Sequence, residues 1–155
     1  MRYEDYLACA QELGYLSFTK LQNEVFRNEY TYDNSRDLMV IGQTSSGKTL
    51  VPTLLYYADA RQAAAQGRRM PKMLFVVPYR ALAAQKREEF QALFRRNIPD
   101  IITAQSTAEY RQDDPLIRSG IVDISVMINE KAFLFACENI SFLEDMDKVL
   151  EDGTR

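Results

Sequence analysis

Residues 37–49 read DLMVIGQTSSGKT, and this stretch is the strongest signal in the 155-residue chain. After its leading Asp37, the run 37–41 is continuously apolar, which predicts a strand covered on both faces. The run stops at Gly42, and residues 48–66 carry the alanines and leucines of a long helix. The stretch therefore predicts a buried strand, a tight turn and a helix in immediate succession.

The turn, residues 42–49, matches the pattern G-x-x-x-x-G-K-[ST] in full. Backbone N–H groups in such a loop wrap a phosphate, and the following helix N-terminus adds partial positive charge. Lys48 would reach the outer phosphates and is the candidate catalytic residue, while the Thr49 hydroxyl would bind Mg²⁺. The candidate nucleotide-binding residues of this Walker A loop are Gly42, Gln43, Thr44, Ser45, Ser46, Gly47, Lys48 and Thr49.

Helical and strand-like periodicities alternate along the rest of the chain. They predict helices over 3–13, 18–30, 48–66, 80–95 and 129–137, and strands over 37–41, 73–77, 101–104 and 121–128. This alternation predicts an α/β fold, with a parallel sheet covered by helices on both faces in three layers. We expect one domain over 1–155, with N-terminal helices in 1–36, an α/β core in 37–137 and an acidic segment in 138–155.

Composition excludes several classes of function. The chain has 46% hydrophobic and 26% charged residues, which is typical of a globular domain, and it contains no histidine, so zinc sites and nucleophilic triads that need imidazole are ruled out. A net charge of -3 argues against binding by bulk positive charge but allows a local basic surface. The distant Cys9 and Cys137 favour reduced thiols, and the absence of a long apolar stretch predicts a cytoplasmic protein without a membrane segment.

Beside the loop lie GYLSFTKLQ at residues 14–22 and PYRALA at residues 78–83. Together with the loop, these segments resemble those of superfamily 2 helicases, the group that includes DEAD/DEAH-box proteins. Residues 14–22 (GYLSFTKLQ) resemble the Q motif, and this resemblance assigns adenine recognition to Gln22. An amide both donates and accepts hydrogen bonds, which suits adenine and makes ATP with Mg²⁺ the expected cofactor. Residues 78–83 (PYRALA) are similar to motif Ia, which contacts the nucleic-acid backbone. The resemblance implies the first RecA-like motor domain of a helicase, with a P-loop NTPase fold.

Two further segments extend the resemblance. Residues 106–110 (STAEY) are similar to a Ser-Thr-Gly-Asp-Tyr segment, and residues 123–131 (DISVMINEK) to a strand-to-helix junction in which Ile128 replaces a Thr. RNA or DNA is therefore the implied partner, contacted through its backbone. The candidate nucleic-acid-binding residues are Pro78, Tyr79, Arg80, Ser106 and Thr107. Arg80, Lys86 and Arg87 are either a basic stripe for phosphates or a solvated charged face.

The Asp-Glu pair of motif II, which holds Mg²⁺ and orients water in the family, is not found in its expected place. After residue 143 the sequence lacks the apolar run of a buried parallel strand, so we expect none there and little hydrolysis. The fold is then incomplete, and a second RecA-like domain would lie beyond residue 155. Alternative functions are a small P-loop kinase and a non-enzymatic docking module for nucleic acid or protein. An exposed sheet edge would favour homo-oligomers.

Overall fold

The computed structural model describes residues 2–33, 37–43, 45–139 and 141–151. Seven α-helices, a short 3-10 helix and four strands form within these residues. In chain order they are α1 (Tyr3–Glu12), α2 (Lys20–Arg27), the 3-10 helix (Glu29–Tyr32), α3 (Leu50–Ala65), β1 (Met73–Val77), α4 (Arg80–Phe94), β2 (Thr103–Ser106), α5 (Asp114–Ser119), β3 (Ile124–Ile128), α6 (Asn129–Glu138), α7 (Ser141–Glu144) and β4 (Lys148–Glu151). The chain divides into two compact units, Met1–Asp59 and Ala60–Arg155. None of the described helices is both long and apolar enough to cross a membrane.

Aromatic side chains form the core of the first unit. Phe26 stacks on Tyr6 and Phe18, with ring centroids 5.2 and 4.9 Å apart. Burial raises the pKa of Tyr6 to about 12. Helix α2 begins at a capping box, in which the Thr19 hydroxyl accepts a hydrogen bond from the Gln22 N–H and the Gln22 side chain returns to the Thr19 N–H. The cap and the aromatic core together position Gln22.

The second unit is built on a parallel sheet with strand order β2-β3-β1-β4. β1 pairs with β3 so that Val77 lies opposite Ile128, and with β4 so that Val76 lies opposite Glu151. All four strands therefore end at one edge of the sheet, where loops and helix N-termini meet. This edge is called the carboxyl edge below.

Helices cover the two faces of this sheet. Phe75 packs edge-on against Phe90 of α4, with centroids 5.1 Å apart. Neighbouring Leu74 and Val76 point to the opposite face and join a buried cluster with Phe135 of α6. Helix, sheet and helix thus form three layers, which confirms the predicted α/β fold.

The strand predicted over 37–41 was wrong. These residues adopt no regular secondary structure, and Met39 and Ile41 are 83% and 80% exposed. A continuous apolar run indicates a tendency to be buried, but a strand also needs neighbouring backbone with which to pair.

The absence of a strand after residue 143 was also a wrong prediction, because β4 (Lys148–Glu151) pairs in parallel with β1. Along β4, half-buried Lys148 and Leu150 alternate with exposed Val149 and Glu151. Successive side chains of a strand point to opposite faces of the sheet, so a strand with one exposed face needs apolar or half-buried residues only at every second position. A continuous apolar run is therefore not required. Within the described residues the outer edge of β4 has no partner strand. Self-association through an exposed edge stays a prediction.

Candidate functional sites

The loop of residues 42–49 bends sharply before α3 begins. Ser45 and Gly47 have φ angles of 71° and 80°, in the left-handed region that suits glycine, and the Ser46 N–H donates to the Gln43 carbonyl over 3.1 Å. Thr44 lies outside the described residues. The loop therefore forms a tight turn that leads directly into a helix.

Both glycines of the motif lie where a side chain would collide with a neighbour. A Cβ atom at Gly47 would lie 2.3 Å from the Gln22 Nε2 atom, and one at Gly42 would lie 2.8 Å from the Ser46 Oγ atom. Gly47 is therefore favoured both by its backbone angle and by close packing, whereas at Gly42 only the packing is close.

Two side chains of the Q-motif-like segment hold the loop by its carbonyl groups. The Gln22 Nε2 atom donates to the Gly47 carbonyl over 2.9 Å, and the Thr19 hydroxyl donates to the Ser46 carbonyl over 2.9 Å. Gln22 is only 3% exposed, and its Oε1 atom accepts from the Thr19 N–H. The sequence predicted an adenine-reading role for Gln22, whereas its observed partners are Thr19 and Gly47.

These contacts orient the peptide groups of the loop. In a trans peptide the C=O and N–H point in opposite directions, so holding the Ser46 and Gly47 carbonyls turns the Gly47 and Lys48 N–H groups the other way. Within the described residues, the N–H groups of Gly47, Lys48 and Thr49 donate to no protein acceptor. They are free donors at the start of α3, where its partial positive charge is concentrated.

The charged and hydroxyl groups of the motif lie beside these donors in sequence. The Lys48 Nζ atom donates to the Gly42 carbonyl over 2.8 Å, so the side chain bends back across the loop. The Thr49 hydroxyl makes no hydrogen bond to any described residue, while its carbonyl accepts from the Thr53 hydroxyl over 2.7 Å. Free amides, an ammonium and an unused hydroxyl fit the chemistry of a nucleotide phosphate with Mg²⁺.

The carboxyl edge of the second unit brings two helix N-termini together. Because Val77 pairs with Ile128, the α4 start at Arg80 and the α6 start at Asn129 lie on adjacent strands. Neither helix has a side chain that caps its first turn. Tyr79, Arg80 and Asn129 are exposed, and Pro78 is half-buried. The sequence predicted a helix that starts at residue 129, but Asn129 was not among the candidate binding residues.

Ser106 and Thr107 are buried at the end of β2, and their hydroxyls bond within the chain. The Ser106 hydroxyl donates to Asp114 over 2.6 Å, and the Thr107 hydroxyl accepts from the Tyr110 N–H over 3.0 Å. Ser106 is 0% exposed and Thr107 is 4% exposed. The observed hydrogen bonds shape the loop that follows β2, and a direct contact of either hydroxyl with nucleic acid stays a prediction.

A buried ion pair that the sequence did not indicate joins this loop to α6. The Lys131 Nζ atom lies 2.8 Å from the Asp114 carboxylate, with both side chains less than a tenth exposed. Asp114 also accepts from Ser106, so the pair is hydrogen-bonded on both carboxylate oxygens. Such a network fixes the relative positions of α5, α6 and the end of β2.

The cations of the predicted basic stripe all face carboxylates. Arg80 pairs with Glu109, Lys86 lies 2.8 Å from Glu89, and Arg87 lies 3.9 Å from Asp113. Arg111, which sequence reasoning missed, is exposed and makes no ion pair with any described residue; its Nε atom donates to the Ala108 carbonyl. The basic surface at the carboxyl edge is therefore smaller than the sequence indicated.

Glu151 ends β4 at the carboxyl edge, and Asp152 lies outside the described residues. In the described part of the chain, no three acidic or cysteine side chains gather as a metal site.

Comparison with protein-family models matches the DEAD/DEAH box helicase family over residues 19–150, which is most of the chain. The chain therefore belongs to the DEAD/DEAH box helicase family. Its four-stranded parallel sheet with surrounding helices is that of a RecA-like fragment, here from the N-terminal motor domain.

Proposed function

We propose that this chain is the nucleotide-binding portion of a helicase motor domain, which binds ATP with Mg²⁺ through residues 42–49. The observation that carries the proposal is the pair of hydrogen bonds from Thr19 and Gln22 to the Ser46 and Gly47 carbonyls. Among the described residues, successive N–H groups at this helix start then have no protein acceptor, and an anion is favoured there.

Each group of the loop then has a distinct role in nucleotide binding. The N–H groups of Gly47 and Lys48 donate to phosphate oxygens, and the Lys48 ammonium leaves the Gly42 carbonyl to neutralise the outer phosphates. Thr49 supplies a hydroxyl ligand to Mg²⁺, which neutralises phosphate charge when it is bound. Gln22 keeps the loop in its binding shape, and its remaining N–H and lone pair are the groups available to adenine.

The nucleic-acid backbone binds at the carboxyl edge of the second unit in this proposal. The uncapped starts of α4 and α6 offer N–H donors, and Arg80 and Arg111 offer guanidinium groups. Contacts of this kind hold phosphates without reading base sequence, so RNA and DNA are both candidate partners. Ser106 and Thr107 take part through the shape of the loop after β2.

Hydrolysis by this chain is proposed to be slow. Water attack needs a carboxylate that orients the nucleophile and carboxylates or hydroxyls that hold the metal. Among the described residues, Glu151 is the acid that β4 brings to the carboxyl edge, and no three-ligand cluster surrounds it.

Binding of a fluorescent ATP analogue to the 155-residue chain tests the proposal. We expect Lys48→Ala to weaken binding at least tenfold, because it removes a cation that contacts phosphate. Lys20→Ala, an exposed lysine at the start of α2, is the matched control and should bind like the parent. The same samples, assayed for phosphate release with and without single-stranded RNA, should show little turnover. Unchanged affinity in Lys48→Ala would refute the assigned site.

A further inference from the structure

Arg80 and Glu109 form an ion pair that links the start of α4 to the loop after β2. Their side chains are 57% and 75% exposed, so both charged groups face solvent at the carboxyl edge. Lys86 and its partner Glu89 differ, because the Lys86 side chain is only 14% exposed. Arg87 and Asp113 are also less exposed, at 29% and 12%, so among these three described pairs Glu109 is the acidic partner that a ligand can most readily replace.

We propose that Glu109 weakens nucleic-acid binding, because its carboxylate pairs with Arg80 until a backbone phosphate displaces it. The inference rests on the proposed function of the carboxyl edge. A carboxylate and a phosphodiester present the same kind of acceptor oxygens to a guanidinium group, so they compete for the same donors of Arg80. Glu109 thus sets how strongly the carboxyl edge binds a nucleic-acid strand.

The exchange has a consequence for the salt dependence of binding. The salt dependence comes from cations that are condensed on the nucleic acid and are released when the protein neutralises phosphates. When Arg80 leaves Glu109 for a phosphate, the freed carboxylate stays beside it, so the pair brings little net positive charge to the strand and releases few of these cations. Each phosphate newly neutralised on a single strand contributes about 0.7 to the slope of log K against log salt concentration. Arg111, which has no acidic partner among the described residues, contributes fully to that slope, whereas Arg80 contributes little while Glu109 is present.

Glu109→Gln tests the proposal, because it removes the charge and keeps the size of the side chain. Binding of fluorescein-labelled oligo(U) and oligo(dT) would be followed by anisotropy from about 50 to 200 mM salt. We expect affinity for both strands to rise roughly 1.5- to 5-fold, the range set by an exposed ion pair. We also expect the salt slope to steepen by about 0.7.

Three further variants separate this effect from a general change of charge. Glu144→Gln removes the same charge at α7, at the opposite edge of the sheet, and should leave the slope unchanged. Arg80→Gln should weaken binding with little change of slope, and adding it to Glu109→Gln should cancel the gain of that variant. Arg111→Gln should flatten the slope by about 0.7.

The outcomes distinguish the inference from the function on which it rests. If the parent chain binds oligonucleotides and Glu109→Gln changes neither affinity nor slope, the role of Glu109 is refuted and the binding site stands. If neither the parent nor Glu109→Gln binds at low salt, the proposed function fails, and the role of Glu109 with it. Binding that appears only in Glu109→Gln would support the proposal strongly.

Discussion

Replacing Gln22 by alanine separates two roles that one side chain can have in nucleotide binding. In the structure Gln22 is 3% exposed and donates to the Gly47 carbonyl, a group of the phosphate loop. If its main role is to hold the loop, then Gln22→Ala should weaken binding of every ligand that carries a triphosphate. If its main role is to read adenine, only ATP should lose affinity.

The structure sets the size of the expected loss. Gln22 makes two hydrogen bonds of 2.9 Å, one to the Gly47 carbonyl and one from the Thr19 N–H. The Gly47 carbonyl also accepts from the Leu50 N–H, so it keeps a partner in the variant and no buried acceptor is orphaned. Each bond then contributes about 0.5–1.5 kcal/mol, and the loss of both amounts to about 1–3 kcal/mol. This corresponds to roughly 5- to 150-fold in affinity.

Competition titrations with ATP, GTP and inorganic triphosphate measure this loss. We expect all three ligands to lose affinity in Gln22→Ala, and any additional loss for ATP measures the contact with adenine. Gln22→Glu keeps the acceptor for the Thr19 N–H but cannot donate to Gly47, and should lose at least as much. Gln11→Ala is the control, because Gln11 is an exposed glutamine of α1 that donates to the Leu16 carbonyl. A loss confined to ATP, with inorganic triphosphate unaffected, would refute the loop-holding role.

Two stability measurements probe the second unit, both by urea unfolding. Burial raises the pKa of Asp123, so the stability that its protonated form contributes is present at low pH and lost as pH rises through the folded-state pKa. Asparagine does not titrate, so the free energy of unfolding of Asp123→Asn should rise relative to that of the parent between about pH 4 and about pH 7. A difference in unfolding free energy that stays constant over this range would contradict the prediction. Lys131→Met leaves the buried Asp114 carboxylate without its cation and should cost about 3–5 kcal/mol. The double variant Lys131→Met with Asp114→Asn should cost less, and an equal or larger cost would disprove the coupling.

The elements with strong local periodicity were predicted correctly from the sequence. β1 was predicted over 73–77 and is observed over Met73–Val77, and α4 was predicted over 80–95 and is observed over Arg80–Phe94. Local patterns suffice in these cases because each element lies against the core with one consistent set of apolar positions. β2 was predicted over 101–104 but is observed over Thr103–Ser106. The isoleucines at 101 and 102 gave the stronger strand pattern, although the residues that pair are mostly polar.

Contacts between distant residues account for what the sequence did not indicate. β4 has a weak pattern and is stabilised by pairing with β1, and Ser106 has a buried partner eight residues away. Lys131 looks like a surface cation in sequence and is buried only because α6 begins beside Asp114.

Local sequence was enough to predict the phosphate-loop motif, the alternation of helices with strands, and the resemblance that the family match confirms. Those features depend on residue types within a few positions of one another, so local chemistry decides them. The tertiary structure was needed to show that Gln22 and Thr19 hold the loop, and that Glu109 faces Arg80. It also showed that the described cations of the predicted basic stripe all face carboxylates. These depend on which backbones lie side by side, and that follows from packing of the whole unit.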